Sequence, residues 1–412
     1  MKISALSAYC SAPKTNFKGI EKKNDPDMAN VVIIGGGGRI GKNAFRQYLL
    51  AKHAPEGVYS CWDAMIPIYR NQNIVAINMG SMGLKGNETI KDISDKAILT
   101  QLVNDSVLGR LPDSIKVGIK REKDETFLTI KSKKNEEFIK LVATRNPVDF
   151  SDLNASIAVD TTGANTTRET MQKHIKDGIK YAVLSAPGTD MLTVVPGVNS
   201  EMIKDIDKPE NGNVISAASC TTTCISPYIK LFDDLFGVKN GVIETVHSAT
   251  ATQNLTDKSN KKGDSKDRSS LDSMIPTTTG AAKAVGLVLP HLNGKLDGFA
   301  TRVPVTDGSM AVITLNLNKK TDLEEVKAAL KAASRDPKYK NLIARAPLGS
   351  SSKDVLRRHE SGLYVPESIK VINGDLVSFK VYYDNEFGYT RSLMTLTGEL
   401  AKKQITEGTN HK

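Results

Sequence analysis

The sequence predicts an α/β fold: a parallel sheet with crossover helices first, then a second, α+β domain built on a mixed, partly antiparallel sheet. Three observations predict it. Short β-branched runs alternate with helical periodicity up to about residue 216, the signature of strands linked by crossover helices. The first run, Val31-Val32-Ile33-Ile34, stops at four glycines and opens straight into a helical pattern through Ile40, Ala44, Phe45, Tyr48 and Leu49. After Val214-Ile215 the alternation ends, and strand-like runs follow at 241–246, 298–303, 311–317 and 377–383 with one helix, 323–333, among them.

The elements follow in order. Between the first helix and the strand Ile74-Val75-Ala76-Ile77 lie residues 51–73, with Pro55-Glu56-Gly57 and the sole tryptophan, Trp62. This connection is longer than the usual ~2–6 residues and reads as an insertion. Strands are expected at 138–143, 156–159 and 181–184, with a helix over 167–177. A helix over 220–236 carries Ile225, Tyr228, Ile229, Phe232 and Leu235 on one face and stops at Gly237. Residues 1–28 are polar and Lys-rich without periodicity, an expected disordered tail lacking the features of a targeting segment; Met28 could serve as an alternative start. The Lys/Ser/Asp-rich 255–273 reads as one exposed loop.

Composition narrows the function classes. The 412 residues allow two or three compact units. With 39% hydrophobic and 25% charged residues, disordered and fibrous classes are excluded. No run approaches the roughly 18 to 20 apolar residues of a membrane span. A net charge of +10 suits anionic small substrates as well as nucleic acid. Four cysteines, at 10, 61, 220 and 224, are too few for a disulfide framework and point to a reducing compartment. Cys220-x-x-x-Cys224 has no second ligand pair and the six histidines are scattered, so no structural zinc is expected.

Gly36-x-Gly38-x-x-Gly41 lies between an expected strand and an expected helix, the context of a dinucleotide-binding turn in a Rossmann-type domain. Backbone N–H groups and the helix dipole would then face a pyrophosphate. The second strand ends in Asn78-Met79, without the carboxylate that holds the adenine ribose; Asp63 has the right spacing but sits in the insertion. Nothing there repels a 2′-phosphate, and Ser81 and Lys85 are close in sequence, so NADP is expected to be tolerated alongside NAD.

Cys220 opens the 220–236 helix, where unsatisfied N–H groups and the helix dipole would lower its pKa and make it a nucleophile. The alternative is a buried inert cysteine, the reading preferred for Cys224. His247 ends a strand, where an imidazole can serve a thiol as base; taken alone it could equally be structural. Thr279 and Gly280 precede a helix start and Arg302 ends a strand, an anion-binding set unless the threonines only cap and the arginine only pairs at the surface.

Taken together the residues resemble the phosphorylating glyceraldehyde-3-phosphate dehydrogenase family from about Val31 to Leu400. The resemblance rests on Gly-x-Gly-Arg-Ile-Gly (36–41), Asp105-Ser106-Val107, Ser185-Ala186-Pro187, Gly197-Val198-Asn199 and Ala218-Ser219-Cys220-Thr221-Thr222. It continues through Thr245-Val246-His247, Thr250-Ala251-Thr252-Gln253, the 279–286 stretch, Asn293-Gly294-Lys295-Leu296, Arg302-Val303-Pro304 and Tyr383-Asp384-Asn385-Glu386-Phe387-Gly388-Tyr389.

The resemblance implies a cofactor domain over 29–219, a catalytic domain over 220–384, and a C-terminal helix, 385–403, returning to the cofactor domain. It implies Cys220 as nucleophile and His247 as its base. Cofactor would be held by Gly36, Gly38, Arg39, Ile40, Gly41, Asn78, Arg145, Ser185 and Asn385. Arg39 and Ile40 would lie on the pyrophosphate and Asn385 would hold the nicotinamide carboxamide. Thr250 and Arg302 would bind the substrate phosphate, and Ser219, Thr221, Thr279 and Gly280 the attacking inorganic phosphate. A cytoplasmic homotetramer acting on a phosphorylated aldehyde is implied, without nucleic acid or membrane partners.

The chain departs from the family's usual residues at Gly35, Gly37, Met79, Ala217, Thr223 and Ala249. Its 255–273 loop keeps Arg268 where the family's loop is richer in arginine. Two alternatives stay open: a relative acting on erythrose 4-phosphate, and a binding or redox-sensing module without turnover.

Overall fold

The structure is a computed structural model that describes residues 25, 27–54, 66–80, 82–85, 88–145, 148–259 and 265–410. Most of the 1–28 tail, the middle of the 51–73 connection with Trp62 and Asp63, and Ser81 lie outside the described residues.

The α/β expectation is met by two sheets. The first holds β1 (Ala29–Ile34), β2 (Gln72–Asn78), β3 (Lys116–Glu122), β4 (Glu125–Lys131), β5 (Glu136–Val142), β6 (Ala155–Asp160), β7 (Tyr181–Leu184), β8 (Leu192–Thr193) and β9 (Val214–Ser216). Their order is β3-β4-β5-β2-β1-β6-β7-β9-β8. From β5 to β8 the pairings are parallel; β3 and β4 add an antiparallel edge. The second sheet is mixed: β10 (Val238–Ser248), β11 (Ile275–Thr278), β12 (Leu296–Val303), β13 (Ser309–Leu317), β14 (Ile343–Arg345), β15 (Gly362–Tyr364), β16 (Lys370–Ile372) and β17 (Leu376–Tyr383). It runs β11-β12-β10-β13-β17-β15-β14, with β16 also on β17.

The helices are α1 (Arg39–His53), α2 (Asp95–Val103), α3 (Arg168–Gln172), α4 (Cys220–Phe236), α5 (Ala281–Val288), α6 (Leu323–Ala333) and α7 (Phe387–Asn410). Helices α1 and α7 cover one face of the first sheet, burying Phe45, Tyr48, Leu49, Leu393, Met394 and Leu396 with them. Gln47 Nε2 donates to the Phe387 carbonyl at 2.8 Å and Gln72 Nε2 to that of Met394 at 2.9 Å, so the last helix is fastened to the first helix and second strand. Helices α4, α5 and α6 supply the core on one face of the second sheet. Its other face leaves Val242 and Phe299 half exposed.

Two details differ from the sequence reading. The hairpin β3–β4 was not expected: its edge strand, KVGIKRE, is largely exposed and its lysines and arginine hide any apolar alternation. The helix expected over 167–177 is only five residues long. Past Gln172 the backbone tightens into three-residue turns, with His174 N–H bonding Met171 O and Ile175 N–H bonding Gln172 O.

In the second core Phe379 of β17 stacks on Phe232 of α4, centroids 5.1 Å apart, and meets Tyr228 at 5.9 Å. Replacing this fully buried ring by alanine is expected to cost about 3–5 kcal/mol. A denaturation curve should show a lower midpoint at unchanged slope, and a loss under about 1 kcal/mol would remove the ring from its central place.

Candidate active site

Ser219 caps α4, its hydroxyl accepting the Thr222 N–H at 3.0 Å, so Cys220 is the first residue of the helix. Just before it Ala218 has φ +58°, a left-handed conformation that a β-carbon disfavours. The conformation is held from both sides: Ala218 N–H donates to Ser216 Oγ at 3.1 Å, and Tyr389 donates its hydroxyl to the Ala218 carbonyl at 3.1 Å. His247 and Arg302 are register partners on the parallel strands β10 and β12, which puts both side chains at the same strand-end level.

There Cys220 Sγ lies 3.4 Å from His247 Nε2. His247 Nδ1 is 2.8 Å from the Ser248 carbonyl, which also accepts from Arg302 Nη1 at 3.0 Å, and the guanidinium lies against Nδ1 itself. With the proton on Nδ1, donated to the carbonyl, Nε2 is free to accept a proton from sulfur; a guanidinium donating to Nδ1 calls for the other tautomer.

Burial pushes the Cys220 thiol up to about 11, although hydrogen bonding to Thr221 and the Arg302 charge act the other way, a direction opposite to the lowering expected from the helix start. Burial and Arg302 bring His247 down to about 4. Both directions favour the neutral forms of the pair.

The residues expected to bind anions are held as follows. Thr222 donates its hydroxyl to the Ala281 carbonyl at 3.4 Å, so the starts of α4 and α5 meet, bringing Ser219 near Thr279 and Gly280. Thr279 Oγ1 accepts the Ala281 N–H at 3.2 Å, and the first turn of α5 has no acidic residue. Thr221 is buried, its hydroxyl 2.8 Å from that of Tyr383. Thr250, two residues beyond β10, pairs its hydroxyl with Thr252 at 3.0 Å and its N–H with Gln253 Oε1 at 3.1 Å.

The glycine turn fits a dinucleotide phosphate. Helix α1 begins at Gly38 with no side-chain cap and no acidic residue in its first turn, so its N–H groups remain available to an anion. A β-carbon on Gly41 would stand 2.5 Å from Gly35 O, and one on Gly37 2.5 Å from the Met79 carbonyl. Gly36 lies in the turn and Ile40 packs on the core. Beside the turn is a cavity of about 530 Å³ lined in part by Gly35, Gly38, Asn78, Met79, Gly80 and Arg145.

Asn78 braces that wall, Oδ1 accepting the N–H groups of Gly80 at 3.0 Å and Thr144 at 3.3 Å. Ser185 follows β7, its N–H bonded to Asp160 O. Arg145 and Lys85 are exposed. The Arg39 side chain is held elsewhere than on a phosphate: it pairs with Asp105 and, through Nε and Nη2, with Glu386. Only its backbone remains for the pyrophosphate.

Glu386 and Asn385 thus join both regions. Asn385 Oδ1 accepts from Ser248 Oγ at 3.0 Å and Ser309 Oγ at 2.7 Å, on the strands beside His247. Sequence reasoning missed Ser248, Ser309 and the Arg39 partners. Ser248 adjoins His247 and could have been noticed; Ser309 has no local signal, since only strand pairing brings it in.

Asp105 is held well below the usual carboxylate range because hydrogen bonds from Lys42, Arg39 and the Leu108 and Val107 amides outweigh its burial. Such a group contributes stability fully above its unfolded pKa of about 3.9, and the contribution fades as pH falls toward the depressed folded value. Arg39→Met is therefore expected to melt below wild type at pH 7, with a gap that narrows below about pH 4; a gap constant with pH would count against the ion pair.

A family profile described as the C-terminal domain of glyceraldehyde 3-phosphate dehydrogenase matches residues 219–385. The chain is 35% identical over 378 residues to the glyceraldehyde-3-phosphate dehydrogenase of Mycolicibacterium smegmatis, spanning 90% of this chain and 98% of that one. The Streptomyces coelicolor enzyme of the same name is 35% identical over 370 residues, 89% and 97% of the two chains. Glyceraldehyde-3-phosphate dehydrogenase 1 of Schizosaccharomyces pombe is 40% identical over 261 residues, 63% and 76% of the chains. With similarity sustained across nearly the full length of the two bacterial relatives and a thiol, an imidazole and a guanidinium gathered at one strand end, this chain belongs to the glyceraldehyde-3-phosphate dehydrogenase family.

Proposed function

We propose that this chain oxidises and phosphorylates glyceraldehyde 3-phosphate to 1,3-bisphosphoglycerate with reduction of NAD or NADP, a glycolytic activity. The observation that carries the reading is the 3.4 Å approach of Cys220 Sγ to His247 Nε2 with Arg302 beside the imidazole. Residues 29–219 act as the cofactor domain, completed by the C-terminal helix, and 220–384 as the catalytic domain.

The Cys220 sulfur attacks the aldehyde carbon, and the thiol proton passes to His247 Nε2 as the C–S bond forms. The imidazolium returns that proton to the carbonyl oxygen, giving a thiohemiacetal hydroxyl. The bound nicotinamide supplies the hydride acceptor. As the hydride leaves, His247 takes the hydroxyl proton and a thioester remains on Cys220. Inorganic phosphate near Ser219, Thr221, Thr279 and Gly280 attacks the thioester carbon, the acyl phosphate departs, and sulfur recovers its proton from His247. Arg302 and Thr250 hold the substrate's own phosphate, the guanidinium in bidentate fashion.

Met79 stands where a carboxylate would repel a 2′-phosphate, which supports use of NADP as well as NAD. The half-exposed apolar side chains on the open face of the second sheet support a homotetramer. Cys220 and Cys224 are both free thiols, and no described helix is long and apolar enough to cross a membrane; the thiols support a reducing cytoplasm.

The test is absorbance at the reduced-nicotinamide band with glyceraldehyde 3-phosphate, for NAD and NADP separately, with and without phosphate. Phosphate-dependent reduction is expected, and its absence would reject the reading; a preference for NAD above about a hundredfold would reject NADP use. Greater kcat/KM with erythrose 4-phosphate would reassign the substrate. Cys220→Ser should abolish turnover while cofactor still binds. His247→Asn should lower the rate about 10²- to 10⁴-fold, and a smaller loss would make the ring structural.

A further inference from the structure

We propose that Ser248 and Ser309 are positioning residues for the cofactor: their two hydroxyls fix the Asn385 side-chain carbonyl and so aim its NH₂ group at the nicotinamide carboxamide. This rests on the reading above that Asn385 meets the nicotinamide.

The geometry leaves the amide one orientation. Ser309 begins β13 opposite Tyr383 of β17, two residues before Asn385, and Ser248 ends β10 on the other side of β13. Ser309 Oγ accepts the Ser248 N–H at 3.0 Å, which leaves its own proton to donate, and it does so to Asn385 Oδ1 at 2.7 Å. Ser248 Oγ donates to the same oxygen at 3.0 Å. Both lone pairs of that oxygen are thereby used. All three side chains are buried. A half-turn of the amide would set NH₂ against the two hydroxyls and give up the bonds that both donate to the amide oxygen.

Nδ2 then points away from the serines and makes no hydrogen bond to a described residue. A locked NH₂ recognises an acceptor such as a carboxamide oxygen and discriminates against a donor. Ser248 extends the lock to the chemistry, because its carbonyl is the one that Arg302 and His247 share. The ring that receives hydride and the imidazole that receives the proton are thus referred to the same residue.

Equilibrium binding of NAD and of ADP-ribose, which lacks the nicotinamide, separates this role from a general packing role. For Ser248→Ala/Ser309→Ala the NAD Kd should rise roughly fivefold or more, the size of a lost oriented hydrogen bond, with the ADP-ribose Kd unchanged. Each single variant should show part of the rise, and the singles decide the matter if the double variant does not fold. An unchanged NAD Kd, or an equal rise for both ligands, would overturn the proposal. Asn385→Ala tells the two readings apart: if it leaves the preference of wild type for NAD over ADP-ribose intact, Asn385 does not meet the nicotinamide. The phosphate-dependent assay still judges the catalytic reading independently.

Discussion

Three consecutive residues, Asp384-Asn385-Glu386, hold the two sheets in one working arrangement. Asp384 accepts the N–H groups of Glu386 and Phe387 on one oxygen and that of Arg357 on the other, setting the start of α7. Asn385 reaches the strands that carry His247, and Glu386 reaches Arg39 at the glycine turn. The price is negative charge in the interior. Asp307 is buried nearby, and burial together with the Asp384 and Glu386 charges pushes its carboxyl up, so the interior disfavours a further negative charge. Arg39 and Lys42, meeting Asp105, supply the opposing charge on the side of the first sheet.

What could be read in the sequence was what is local. The glycine turn shows itself because strand, glycines and helix are adjacent, and Cys220 because a helix start is a local electrostatic feature. That same feature misled on the thiol's pKa, since burial depends on residues such as Tyr383 and Tyr389 that arrive from far along the chain. His247 and Arg302 could be suspected singly, yet the register of β10 on β12 is what makes them neighbours. The Arg39 side chain lies between carboxylates, which the sequence did not announce because Glu386 is 347 residues away. Edge strand β3 was missed for the opposite reason: its charged, solvent-facing residues resemble a loop.

Two departures from the family's usual residues lie against each other. Gly37 and Met79 sit on different elements, the turn after β1 and the end of β2, and the Met79 carbonyl approaches so closely that a β-carbon at 37 would collide with it. A larger residue at 37 would require the end of β2 to withdraw. The contact is with the backbone at 79, so it constrains position 37 whatever side chain position 79 carries.

The left-handed alanine ahead of the nucleophile has a consequence for stability. Position 218 holds a side chain in a conformation about 1–2 kcal/mol dearer than the right-handed one, and glycine would relieve that strain while adding freedom to the unfolded chain by a comparable amount. The two effects nearly cancel in the melting temperature. The two backbone bonds to Ser216 and Tyr389 belong to any residue at 218, so the turn that presents the sulfur is set by those partners rather than by the methyl group.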